Sequence, residues 1–145
     1  MIFKKICIIG CGLIGSSLAR AIKKNNLAKK VVSSNRSDAV NKKVIELKIV
    51  DSSSSDTKKM VDDSDLVVIA TPLSSYENLI SKIKNSLKIG VILTDVGSVK
   101  ENIINLVEKN IPENISWIPS HPIAGTEESG PEAGFSELFQ KLHLR

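Results

Sequence analysis

An apolar, strand-like run from Lys5 to Ile9 leads directly into Gly10-Cys11-Gly12-Leu13-Ile14-Gly15, which opens a segment with Ile14, Leu18, Ala21 and Ile22 on one helical face. Glycines at these three places suit a dinucleotide pyrophosphate. Gly10 permits the tight turn, Gly12 lets a phosphate approach the backbone, and Gly15 lets the helix pack close. The first helical residues, Leu13 and Ile14, then offer free N–H groups and the positive end of a helix dipole. About 20 residues beyond Gly15, where an NAD-binding domain normally carries an acid on the adenosine ribose, this chain has Asn35-Arg36-Ser37. Asn35 lacks the charge that would repel a 2′-phosphate, Arg36 can bind it and stack beside the adenine, and Ser37 can donate a further hydrogen bond. The pattern favours NADP over NAD. Three more segments fall where ligands bind in such sheets, outside the carboxyl ends of strands. They are Thr71-Pro72-Leu73, Asp95 to Lys100, and Ser120 to Gly130.

Those segments need a frame, and the hydrophobic pattern supplies one. Lys30 to Ser34 reads as a second strand, and Ser37 to Lys48 as a helix with Val40, Val44 and Leu47 at core spacing. A weak strand is expected around Ile49 and Val50, followed by a surface loop over Asp51 to Asp56 with its four serines. A short helical piece follows near Lys58 to Val61. Leu66 to Ala70 is a continuous apolar run of the kind buried on both faces of a parallel sheet. Tyr76, Leu79, Ile80, Ile83 and Leu87 form a helical stripe, Val91 to Thr94 a further strand, Val99, Ile103, Leu106 and Val107 another helix, and Ser116 to Ile118 a last strand. This alternation predicts an α/β fold: a Rossmann-type, doubly wound parallel sheet with helices on both faces. The whole is expected to be one domain over residues 1–140, with a divergent tail at 141–145.

Three motifs together resemble the prephenate and arogenate dehydrogenase family. They are Gly10-Cys11-Gly12-Leu13-Ile14-Gly15-Ser16-Ser17, Asp95-Val96-Gly97-Ser98-Val99-Lys100, and His121-Pro122-Ile123-Ala124-Gly125-Thr126-Glu127-Glu128-Ser129-Gly130. The resemblance extends from Lys4 to about Phe139, and the last motif is its most specific carrier. It implies an oxidative decarboxylation in tyrosine biosynthesis, with hydride passing from the hydroxyl-bearing ring carbon of prephenate or arogenate to the nicotinamide. In the family, the histidine matching His121 pairs with the substrate hydroxyl and helps remove its proton, which suits an imidazole. The serine matching Ser98 supports that histidine, and residues matching Thr126 and Glu127 line the substrate pocket. Apart from the resemblance, His121 before a proline reads as a turn residue, and Ser98 as a cap for the helix beginning near Val99. His143 acquires no role. The family also carries a second, helical domain that completes the pocket and makes most of the dimer contact. This sequence does not continue into it, so a fragment that binds cofactor but turns over little is expected. A homodimer remains compatible with the resemblance. The competing readings are another Rossmann dehydrogenase of the hydroxyacid type and a non-catalytic NADP-binding module.

Composition narrows the alternatives. The net charge of +4 comes from lysines spread over helix faces, and aromatics make up only 3% of the 145 residues. Nucleic-acid binders cluster charge and interleave stacking groups, so no nucleic-acid partner is expected. No run approaches the ~20 apolar residues of a membrane span, and the chain opens without a signal-peptide pattern, so a soluble, cytoplasmic protein is expected with no membrane partner. Cys7 sits in a strand and Cys11 in a tight turn, which indicates structural thiols and no metal site.

Overall fold

The computed structural model describes residues 2–97 and 101–120. Its centre is a six-stranded sheet in the order β3-β2-β1-β4-β5-β6, formed by β1 (Phe3–Ile9), β2 (Ala28–Ser34), β3 (Ser52–Ser54), β4 (Leu66–Ile69), β5 (Ile92–Asp95) and β6 (Ser116–Pro119). All five pairings are parallel. The strand order reverses between β1 and β4, where Ile6 pairs with Leu66 and Ile9 with Ile69. In a doubly wound sheet this is the switch point at which a crevice opens.

Alternation along each strand divides the interior into two layers. Ile6 and Ile8 of β1, with Val31 and Val68, pack under α1 (Leu13–Lys24) and α2 (Asp38–Glu46), joined by Ala19, Ile22 and Val44. Cys7 and Ile9, with Val32, Val67, Ile69 and Leu93, face the other way. There they meet Met60 and Val61 of α3 (Thr57–Val61), Tyr76, Ile80 and Ile83 of α4 (Tyr76–Ile83), and Val107 of α5 (Glu101–Asn110). Strands buried on both faces carry unbroken apolar runs, which is why β1 and β4 lack polar alternation.

The elements follow the expected alternation, with four local differences. Leu87 is buried but lies beyond the end of α4 at Ile83, so it packs from the following turn and not from the helical stripe. The buried face of α1 is Gly15, Ala19 and Ile22, while Ile14, Leu18 and Ala21 lie only half-buried at its border. Close seating of the helix at Gly15 sets that face. Leu47 is the C-cap of α2 and 40% exposed, so it is not a core position. The third strand does not involve Ile49 and Val50, which are buried side chains ahead of it. It is the serine run itself, which Ser52, Ser53 and Ser54 align against Val32, Ser33 and Ser34. A hydroxyl pair between Ser33 and Ser53, 2.7 Å apart, replaces the apolar cross-strand contact that a propensity argument looks for. Among the described residues no helix is long and apolar enough to cross a membrane, and no His, Cys, Asp and Glu group is arranged to hold a metal ion.

Candidate functional site: the cleft at the sheet switch point

The glycine turn is built by contacts that tolerate no side chain at two positions. Gly10 has φ +93°, and a Cβ there would lie 2.9 Å from the Ala70 carbonyl oxygen and 2.9 Å from Thr71 Cγ2. A Cβ on Gly15 would lie 1.9 Å from the Gly10 carbonyl oxygen, so the first turn of α1 rests directly on the loop. Gly12 differs. It is the N-cap of α1, it is exposed, and a Cβ on it would meet nothing within 4 Å. No side chain caps this helix and its first turn holds no acid, whereas its last turn carries Lys23 and Lys24. The positive end of the helix dipole therefore faces open space beside Gly12. A pyrophosphate fits such a place: backbone donors, no countercharge, and room where a side chain would stand.

Beside the turn lies a cleft of about 580 Å³. Gly10, Asn35, Arg36, Ser37 and Thr71 line it together. Leu13, Ile14 and Gly15 sit at the adjoining helix start, and Pro72 follows Thr71 at the head of a short 3-10 turn, Leu73–Ser75. Ser75 Oγ lies 2.8 Å from Thr71 Oγ1 and 2.7 Å from the Pro72 carbonyl oxygen, tying that turn to the end of β4.

At the end of β2 the three adjacent residues take distinct positions. Arg36 and Ser37 are exposed on the cleft wall. Ser37 caps α2, accepting a hydrogen bond from the Val40 amide at 3.3 Å, which leaves its hydroxyl proton free to be donated. Asn35 is 8% exposed and turned inward. Its Oδ1 accepts from the Cys11 amide at 2.7 Å, and its Nδ2 donates to Asn41 Oδ1 at 2.9 Å. Asn35 is thus a brace for the glycine turn, with its amide engaged inside the protein.

The opposite wall was not singled out by sequence reasoning. Ser74, Asn78 and Lys82 line it, exposed and spaced four apart along the 3-10 turn and α4. That spacing on the polar face of a predicted helix was a readable signal, though solvated helix faces show it equally often. Ser34 and Thr57 complete the floor, their hydroxyls 2.8 Å apart.

A second arrangement lies at the carboxyl ends of β5 and β6. The fully buried Asp95 carboxylate accepts from Tyr76 Oη at 2.8 Å and the Gly97 amide at 3.0 Å through Oδ2, and from the Ser120 amide at 3.3 Å through Oδ1. Ser120 Oγ in turn donates to the Asp95 carbonyl at 2.6 Å. Burial, reinforced by the Asp95 carboxylate, pushes the Tyr76 phenol well above its ordinary range, so it remains a donor at any physiological pH. Gly97 is packed so closely that a Cβ would meet Leu73 Cδ2 at 2.5 Å. Ser98, His121, Thr126 and Glu127 lie outside the described residues; Gly97 and Ser120 are the sequence neighbours of the first two.

Both thiols are buried. Burial raises Cys7 to about 12 and moves Cys11 in the same direction, against hydrogen bonds from Ser33 and Asn35 that lower it. Neither is poised as a thiolate.

Comparison with known proteins places this geometry among relatives. The model of the prephenate dehydrogenase nucleotide-binding domain matches residues 18–143. A cyclohexadienyl dehydrogenase of Zymomonas mobilis is 41% identical over 139 residues, 96% of this chain and 47% of the relative. An arogenate dehydrogenase from Synechocystis, 26% identical, superposes with a TM-score of 0.86 over 97% of this chain and 48% of its own. The prephenate dehydrogenase of A. aeolicus, solved with hydroxyphenyl propionate and NAD+, shares the fold with a TM-score of 0.88 at 24% identity, over 97% of this chain and 49% of its own. The chain spans about half the length of each of these relatives. By the match across residues 18–143, joined to the glycine turn and the cleft beside it, the chain belongs to the prephenate dehydrogenase nucleotide-binding domain family.

Proposed function

We propose that this chain is the dinucleotide-binding unit, over residues 1–140, of an enzyme that oxidatively decarboxylates prephenate or arogenate, and that it prefers NADP. The observation that carries the nucleotide reading is the open space at Gly12, in the same turn as Gly10, which lines a cleft whose wall presents Arg36 and Ser37. The pyrophosphate would rest on Gly10, Gly12, Leu13, Ile14 and Gly15, and the adenosine end against Arg36 and Ser37. No acid lines the described part of the cleft, so nothing there repels a 2′-phosphate. Thr71 and Pro72 would border the nicotinamide side.

When bound, the nicotinamide supplies the hydride acceptor. His121 takes the proton of the substrate hydroxyl, with Ser98 holding that hydroxyl and the imidazole in line, while loss of carbon dioxide lets the ring become aromatic. Thr126 and Glu127 shape the substrate pocket. The Asp95 network favours these assignments because it ties together the strand ends that precede Ser98 and His121.

Calorimetric titration of the chain with NADP and NAD tests the cofactor reading. NADP should bind more tightly, and Arg36→Ala should weaken NADP by roughly tenfold to a hundredfold, the worth of a charged hydrogen bond, with little change for NAD. Equal loss for both nucleotides would remove Arg36 from the 2′-phosphate, and a folded chain that binds neither would end the reading. Turnover of prephenate and arogenate by the protein containing this chain, followed by nicotinamide absorbance with His121→Asn as control, tests the chemistry.

A further inference from the structure

Asn41 lies on α2, 5% exposed, and does not line the cleft, yet it is hydrogen-bonded to the residue that braces the glycine turn. Its Nδ2 donates to the Asn35 carbonyl at 3.0 Å, and its Oδ1 accepts from Asn35 Nδ2 at 2.9 Å and from Ser53 Oγ at 2.6 Å. Two backbone groups set the direction of this wiring. The Cys11 N–H can only donate, so Asn35 must present its oxygen there and its NH2 toward Asn41. The Asn35 carbonyl can only accept, so Asn41 must present its NH2 there and its oxygen toward the Asn35 side chain. Position 35 must therefore both accept and donate. An aspartate of the same shape would set its second oxygen against Asn41 Oδ1, oxygen facing oxygen, in a buried place.

We propose that Asn41 is a positioning residue for the dinucleotide. Acting through Asn35, it holds the Cys11 amide and with it the glycine turn. The inference rests on the nucleotide reading above and adds a residue remote from the ligand.

The test uses the chain itself, with Asn41→Leu and Asn35→Asp, calorimetric titration with NADP and NAD, and hydrogen exchange at the Cys11 amide. Asn41→Leu should bind both nucleotides roughly two- to tenfold more weakly, the worth of one net hydrogen bond; Asn35→Asp should weaken both by at least as much, and NADP more than NAD because of its added charge; and both variants should exchange the Cys11 amide faster. Arg36→Ala should instead change the ratio between nucleotides and leave that amide protected. A folded Asn41→Leu chain with parental affinity for both nucleotides overturns the proposal. So does an Asn35→Asp chain that binds NAD as tightly as the parent or more tightly, because the acid would then have been accommodated without the wiring. Should Asn41→Leu fail to fold, the Asn35→Asp arm decides. If the parent binds neither nucleotide, the proposed function fails and this inference falls with it, an outcome distinct from failure of the variants alone.

Discussion

Gly12 and Gly15, three residues apart in one motif, make opposite demands. A methyl group on Gly15 would press against the Gly10 carbonyl, a backbone atom that cannot swing aside, so either α1 or the turn must move. Gly15→Ala should lower stability by about 1–3 kcal/mol, the usual cost of overpacking. Gly12→Ala should stay within about 0.5 kcal/mol of the parent, since its Cβ points into open space at an ordinary φ of −76°. It should nevertheless weaken nucleotide binding, because that space is where the phosphates would lie. Urea unfolding and calorimetry on both variants check the contrast, and equal loss of stability in the two would sink it. The motif itself was legible in sequence, and so were the turn at Gly10 and the close packing at Gly15, because each follows from backbone sterics within a few residues. The inward turn of Asn35 was not. It depends on an amide 24 positions away and on a helix residue that no motif marks.

Between elements, the buried Asp95 carboxylate joins α4 to the ends of β5 and β6, assisted by Thr94 Oγ1 donating to the Ile118 carbonyl at 2.6 Å. Both of its oxygens receive donors, so an amide cannot replace it without turning an NH2 toward another N–H or O–H. Asp95→Asn should cost roughly 1–3 kcal/mol, the penalty for a buried donor left unsatisfied. Tyr76→Phe, which leaves the Gly97 and Ser120 contacts in place, should cost less. Denaturant unfolding measures both, and faster hydrogen exchange at the Gly97 and Ser120 amides in Asp95→Asn would locate the damage. An Asp95→Asn chain as stable as the parent, with both amides protected, would show that the network holds nothing. Sequence patterns placed Asp95 at a strand end but gave no hint of its distant partners, Tyr76 and Ser120, which lie 19 and 25 positions away. Strand β3 was displaced for a related reason: pairing with β2 overrode the low strand propensity of serine.

Across the whole molecule, two carboxylates fasten the sheet at the far end from the cleft. Asp65 accepts from the Lys88 ammonium and from the Lys4 and Lys5 amides, which lowers its pKa. Burial acts against Asp51, but the Val31 amide and Lys23 outweigh it, and its pKa is lowered as well. A depressed folded pKa contributes stability that is present above the ordinary value, about 3.9, and is lost as pH falls through the folded value. The urea midpoint should therefore fall as pH drops below about 4, and Asp65→Asn should flatten part of that fall. A midpoint indifferent to acid would contradict the assignment. From the sequence alone came the alternation of strands and helices, the parallel sheet, the glycine turn and the family, because hydrophobic period and local backbone sterics are written in neighbouring residues. Tertiary structure alone decided which hydroxyls, amides and carboxylates meet: the Asn35–Asn41 wiring, the Asp95 junction, the serine strand and the far wall of the cleft. Those contacts join residues from separate strands and helices, and a polar side chain's role depends on whether its neighbour in space donates or accepts, which no local pattern records.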